Sequence, residues 1–256
     1  MDDELVDRTF PKEAAATLTG IPALTIKELG SRVLARVTSV SKSLRKELDM
    51  NAIDEYQKIS PTTLADVLGH EQVVDGRIRA LWSPMPRVAG PAFTVRCPPG
   101  DNLMLHAAIH RAERGSVIVV QAGNVDYAVS GGNVCAVAQR RGIAAFVVDG
   151  VIRDIAEVRD LGFPVFARGV MPIPGGKDVV TPLNEPVQCG GVTVAVGDVV
   201  VADEEGIVVV PVARSERVLA EAQAKATQEA GQSLEEWETA HRARIDSILA
   251  RHGFTD

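Results

Sequence analysis

Between residues 87 and 210, short runs of apolar, mostly β-branched residues alternate with stretches whose apolar positions recur every three or four residues. The runs at 92–95, 116–120, 144–148 and 164–167 read as strands, and the segments 102–113 and 133–141 between them read as helices. Then the rhythm changes. The runs 192–196, 199–202 and 207–210 follow one another with only short Gly-, Asp- and Glu-bearing turns between them, which predicts an all-β element. Together these patterns predict an α/β domain with a mixed, partly parallel central sheet.

The flanks read differently. Apolar positions over 12–48 suggest helix interrupted at Gly20, Pro22 and Gly30, and residues 1–55 are assigned to a helical N-terminal extension. Ser60-Pro61 is an N-cap followed by a proline at the first helical position, so a short helix is expected over 62–68 and the main domain over 56–212. Residues 213–256 are strongly helical, and the capping box Ser233-Leu234-Glu235-Glu236 predicts a break between two helices. Leu234, Trp237, Ile245 and Leu249 then need a surface, either a neighbouring subunit or the chain's own core.

Composition narrows the function. With 46% apolar residues in 256, the chain can bury a substantial core. A net charge of −7 and only 4% aromatic residues argue against nucleic acid or anionic membrane as the partner, and favour small metabolites or proteins. Cys97, Cys135 and Cys189 form no Cys-x-x-Cys pair and leave one over from any disulfide. The N-terminus carries Asp2, Asp3 and Glu4 where a secretory signal has basic residues, and no apolar run approaches the ~18 residues of a membrane span. A cytoplasmic location is expected.

Generic nucleotide and hydrolase motifs fail residue by residue. Gly175-Gly176-Lys177 puts Met171 where a phosphate loop needs its first glycine, and Asp178 where it needs Ser or Thr. Neither Gly-x-Gly-x-x-Gly nor Gly-x-Ser-x-Gly occurs. His106 and His110 are spaced to share one helix face and reach a metal, but no glutamate joins them, and structural hydrogen bonding is the better expectation. Asp101 is expected to cap their helix. The densest segment is 123–154, where Gly131-Gly132 leads into a helix ending at Gly142. A buried strand follows and is expected to end at Asp149-Gly150, just before Arg153-Asp154. That order brings the free N–H groups at the start of the 133–141 helix and the Arg-Asp pair to one crevice. The simpler reading is that Arg153 and Asp154 cap the next helix and form a surface ion pair.

Pro99-Gly100-Asp101-Asn102, Gly131-Gly132, Gly142, Asp149-Gly150-Val151-Ile152-Arg153-Asp154, Gly162-Phe163-Pro164 and Gly197-Asp198 through Ala202-Asp203 to Gly206 occur in that order. This set resembles the RraA-like family, over about residues 60 to 230. The family includes 4-hydroxy-4-methyl-2-oxoglutarate and 4-carboxy-4-hydroxy-2-oxoadipate aldolases, together with noncatalytic regulators that bind and inhibit a ribonuclease. The resemblance implies a layered α/β/β domain of swivelling type. It implies that Asp154 anchors Mg2+ or Mn2+, that Arg153 contacts a 2-oxo acid, and that the N–H groups of Asn133 and Val134, behind Gly131 and Gly132, hold its carboxylate. It also implies a homo-oligomer, trimer or hexamer, with sites between subunits.

The implied activity is a metal-dependent lyase, an aldolase releasing pyruvate or an oxaloacetate decarboxylase; the alternative is the ribonuclease regulator. One position departs. The family's aldolases carry Asp or Glu separated by twenty residues from the Arg-Asp pair, and here that position is Gly132. A retro-aldol needs a base for the substrate hydroxyl, whereas decarboxylation of a 2-oxo acid does not. Candidate replacement bases are Asp126, Glu204, Glu205 and Glu229, the last resembling a glutamate donated by a neighbouring subunit.

Overall fold

The computed structural model describes residues 50–254. The expected extension over residues 1–55 lies outside them up to residue 49. Helix α1 (Met50–Lys58) and helix α2 (Pro61–Leu68) come first. As expected, Ser60 caps α2, its side chain accepting from Thr63 N at 3.1 Å, with Pro61 at the first helical position.

Nine strands follow, interleaved with helices: β1 (Arg79–Ala80), β2 (Val88–Arg96), α3 (Leu103–Ala108), β3 (Val117–Gln121), α4 (Gly132–Arg141), β4 (Ala145–Ile152), α5 (Ile155–Leu161) and β5 (Val165–Val170). Then come β6 (Val187–Cys189), β7 (Val192–Val194), β8 (Val199–Asp203) and β9 (Gly206–Val210). Helices α6 (Ser215–Ala230) and α7 (Leu234–Arg251) close the chain. Seven strands form one sheet in the order β1-β5-β4-β3-β2-β8-β9, while β6 and β7 form a separate hairpin. Strands β2 to β5 are parallel; β1, β8 and β9 join antiparallel, so the sheet is mixed as predicted.

The sheet wraps on itself at β2. That strand pairs with β8 through residues 88–91 and with β3 through residues 92–96. The change of partner falls at Gly90-Pro91, where a Cβ on Gly90 would overlap the carbonyl oxygen of Gly115. Glycine is there for close approach, and proline has no N–H to leave unpaired. Strands β8 and β9 therefore fold over the β2–β5 block, and β9 comes near β1, leaving the sheet nearly closed.

Three apolar layers result. Ile118, Val120, Phe146 and Val148 pack under α3, α4 and α5, with Phe146 and Phe163 meeting edge-on at 4.9 Å. Val117, Val119, Val147 and Phe166, on the opposite face, meet Val200, Ala202, Ile207 and Val209 of β8 and β9. The outward residues Val199, Val201, Val208 and Val210 are covered by α1, α2 and α6. The strands are apolar on both sides because both sides are buried, which explains why they read as continuous runs. Buried Tyr56 fastens α1 to α6, its hydroxyl donating to Ser215 O at 2.6 Å.

Several boundaries differ from expectation for local reasons. Strand β4 does not end at Asp149-Gly150 but runs to Ile152, with a register shift against β5 between Val148 and Val151. Gly150 serves close approach inside the strand, since a Cβ there would lie 2.5 Å from Ala122 Cβ. Helix α3 ends at Ala108 instead of 113. The next N–H groups turn back to carbonyls three residues earlier (His110 to Ala107, Arg111 to Ala108), and Arg141 donates to the carbonyls of Ile109 and His110. The predicted break at Ser233 is present as a reciprocal capping box with Glu236.

Candidate active site

The site forms at the carboxyl ends of the parallel strands, where a crevice opens between crossovers. Segment 128–130 runs alongside the end of β4, Val129 N donating to Val151 O at 3.0 Å and Arg153 N to Ser130 O at 2.9 Å. This lashing brings Gly131, at the start of α4, against Arg153-Asp154. A Cβ on Gly131 would overlap Asp154 Oδ2 and lie 3.0 Å from Arg153 Cγ, so a side chain there would displace the pair from this arrangement.

Asp154 begins α5 with φ 58° and ψ 40°, left-handed backbone that aspartate tolerates better than most residues. Its carboxylate does not cap α5. It turns back, Oδ2 accepting from Gly132 N at 3.1 Å, with Arg153 Nε 3.4 Å away. The capping interpretation of this pair is thereby corrected, while an ion pair is present. Helix α4 makes its first internal bond from Cys135 N to Gly131 O, and Gly132 N is taken by Asp154. The N–H groups of Asn133 and Val134 remain at the helix start, positioned for an anion.

Arg153, Asp154, Gly131, Asn133 and Val134 line one cleft of about 80 Å3, joined by Asn102, His106 and Lys177 from the opposite wall. That wall is a clasp of two loops. Gly176 N donates to Gly100 O at 2.7 Å and Asn102 N to Gly176 O at 2.9 Å. The N-cap of α3 is Asn102, with no side-chain cap bond, and not the expected Asp101; Asp101, one residue earlier, accepts from Leu103 N at 2.9 Å through one oxygen and from Asp178 N and Val179 N through the other. Burial alone pushes its pKa up, but the three backbone donors and the Lys177 charge outweigh that and hold it below the ordinary value. Asn102 is buried, and its Oδ1 has no hydrogen-bond partner among the described residues, an acceptor at the cleft wall.

His106 and His110 do not act as a pair, because α3 ends before His110, which is exposed and does not line the cleft. Burial first, then the charges of Lys177 and His110, keep His106 below its ordinary pKa, so it is neutral at pH 7. Among the described residues no cluster of three or more His, Cys, Asp or Glu could enclose a metal. Lys177 carries no sequence signature of its own, since the double glycine before it fails as a phosphate loop. What brings it to the cleft is the pairing of 176 with 100–102.

The candidate replacement bases lie elsewhere within the chain. Asp126 lines a separate, larger cleft with Gln121, Asn124 and the Asp149–Arg168 ion pair, instead of facing Arg153. Glu204 is committed to the 83–85 loop, accepting from Ser83 Oγ at 2.6 Å and Met85 N at 2.9 Å, and Glu205 is exposed in the β8–β9 turn. Glu229 pairs with Lys225 on α6 at 2.9 Å, away from the cleft of its own chain.

The family profile described as RraA-like, Aldolase/RraA, matches residues 54–209. A protein of Halalkalibacterium halodurans, provisionally named a 4-hydroxy-4-methyl-2-oxoglutarate aldolase, is 34% identical over 211 residues, which is 82% of this chain and 96% of that protein. The solved structure of Streptomyces coelicolor RraAS2, described as an unusual member of the RNase ES inhibitor RraA protein family, is similar at a TM-score of 0.65 and 31% identity, covering 71% of this chain and 95% of that one. The RNA-processing inhibitor RraA from Thermus thermophilis is similar at a TM-score of 0.55 and 27% identity, over 59% of this chain and 92% of that one.

Proposed function

This chain belongs to the RraA-like family, and from that premise we propose that it is a lyase cleaving the carbon–carbon bond one carbon beyond the 2-oxo group of a small acid, which leaves a 2-oxo acid fragment. One observation carries the reading: a guanidinium, a carboxylate and two helix N–H groups converge on a single small cleft. The name of the Halalkalibacterium protein points the same way.

In this reading the substrate carboxylate sits on the N–H groups of Asn133 and Val134, and Arg153 pairs with it and with the 2-oxo oxygen. Lys177 supplies a second positive charge, and neutral His106 and the Asn102 amide offer hydrogen bonds from the opposite wall. Asp154 would hold a divalent cation. A lone carboxylate suits a hard ion such as Mg2+ or Mn2+, which keeps several waters, and does not suit a metal that needs an enclosing set of protein ligands. When bound, the ion supplies Lewis-acid stabilisation of the negative charge that develops as the bond breaks. We further take the working form to be a trimer or hexamer in a reducing cytoplasm, with Glu229 offered to a neighbouring subunit's cleft.

The test is pyruvate release from oxaloacetate and from 4-hydroxy-4-methyl-2-oxoglutarate, with Mg2+, Mn2+ or a chelator. Metal-dependent release from either substrate, abolished by Asp154→Asn, is the expected result. The similarity to RraAS2 supports a second reading, a protein-binding regulator. No release from either substrate, together with metal-independent binding to a ribonuclease, would establish that reading instead.

A further inference from the structure

Gly132 sits where the resemblance implies an acidic side chain, and the space such a side chain would fill is already taken. A Cβ on Gly132 would overlap Oε2 of Glu157, and would lie 3.0 Å from its Cδ and 3.1 Å from its Cβ. Glu157 belongs to the first turn of α5, three residues after Asp154. It is exposed, and among the described residues it makes no hydrogen bond or ion pair. At that helical position a glutamate commonly reaches back to its own helix cap; this one reaches across to α4.

Two carboxylates therefore converge on one glycine. Asp154 Oδ2 holds the Gly132 N–H, while Glu157 Oε2 occupies the space where a β-carbon of residue 132 would lie. Residue 132 can be glycine because the acid arrives from the next helix, and Glu157 can reach this position only because residue 132 has no side chain. We propose that Glu157 supplies the base for aldol cleavage that residue 132 does not, an assignment that rests on the lyase reading above. Its carboxylate takes the substrate hydroxyl proton, directly or through one water. The O–H electrons form the new carbonyl as the adjacent carbon–carbon bond breaks. The electrons of that bond pass to the 2-oxo fragment, which takes up a proton from solvent and leaves as pyruvate. Decarboxylation of oxaloacetate has no hydroxyl proton to remove and does not need this group.

The two substrates separate the inference from its premise. In Glu157→Gln the ratio of the 4-hydroxy-4-methyl-2-oxoglutarate rate to the oxaloacetate rate is expected to fall by about 10²-fold, the usual contribution of a general base. Gly132 has no left-handed backbone requirement, so Gly132→Asp combined with Glu157→Ala moves the carboxylate to the adjacent helix and is expected to raise that ratio above Glu157→Ala alone. An unchanged ratio in Glu157→Gln, with an unaltered melting temperature, overturns the assignment. Wild-type turnover of oxaloacetate without any aldol cleavage also overturns it and leaves the lyase reading standing. Turnover of neither substrate removes both.

Discussion

At the scale of single residues, Asp154 joins backbone strain to the proposed chemistry. Its φ of 58° costs an alanine roughly 1–2 kcal/mol and a glycine almost nothing. Asp154→Gly should thus be more stable than Asp154→Ala by about 1 kcal/mol in urea unfolding, while neither turns over substrate. If alanine proves as stable as glycine, the left-handed backbone is not maintained in solution. Residue types revealed part of this position. The Asp-Gly-x-x-Arg-Asp spacing identified Asp154 and Arg153 from the sequence, but not that the carboxylate would turn back onto Gly132. That orientation follows from the bare Cα of Gly131, across a gap in sequence that no local pattern spans.

At the scale of elements, the clasp between loops 100–102 and 174–179 forms the second wall of the cleft, and Asp101 holds it. The sign of its pH effect follows from its lowered pKa. A carboxyl more acidic in the folded chain than in the unfolded one stabilises fully above its unfolded pKa of ~3.9, and this is lost as pH falls through the lower folded value. Asp101→Asn should cost roughly 1–3 kcal/mol near pH 7, because buried N–H groups lose a charged acceptor. The gap between variant and wild type should narrow below about pH 4. Melting curves from pH 7 to 3 would show it, and a gap independent of pH would mean the charge contributes nothing. Periodicity foretold α4, β3, β8 and β9 well, since each buries a regular face. It overran α3, whose end is set by Arg141, a residue from another helix.

For the whole molecule, α7 is the element that bears on assembly. Among the described residues it buries none of its own, and Leu234, Trp237, Ile245 and Leu249 are exposed on it. Packing of this helix on the chain's own core, one of the two expectations, does not occur. A neighbouring subunit is the expected cover, so the protein should sediment as a trimer or hexamer. Trp237→Asp with Leu249→Asp should yield smaller species with the α/β core still folded by circular dichroism. A monodisperse wild-type monomer would contradict this, and with it the role given to Glu229.

The order of β-branched runs, the caps at Ser60 and Ser233, and the adjacency of Arg153 and Asp154 were determined locally, because strand burial, helix capping and a neighbouring charge pair each need particular residue types at fixed spacing. The clasp that delivers Lys177, the removal of Asp126 to another cleft and the arrival of Glu157 over Gly132 were decided only by tertiary structure. Each depends on how closely two distant backbones approach, and that distance comes from glycine gaps and sheet curvature summed over the whole fold.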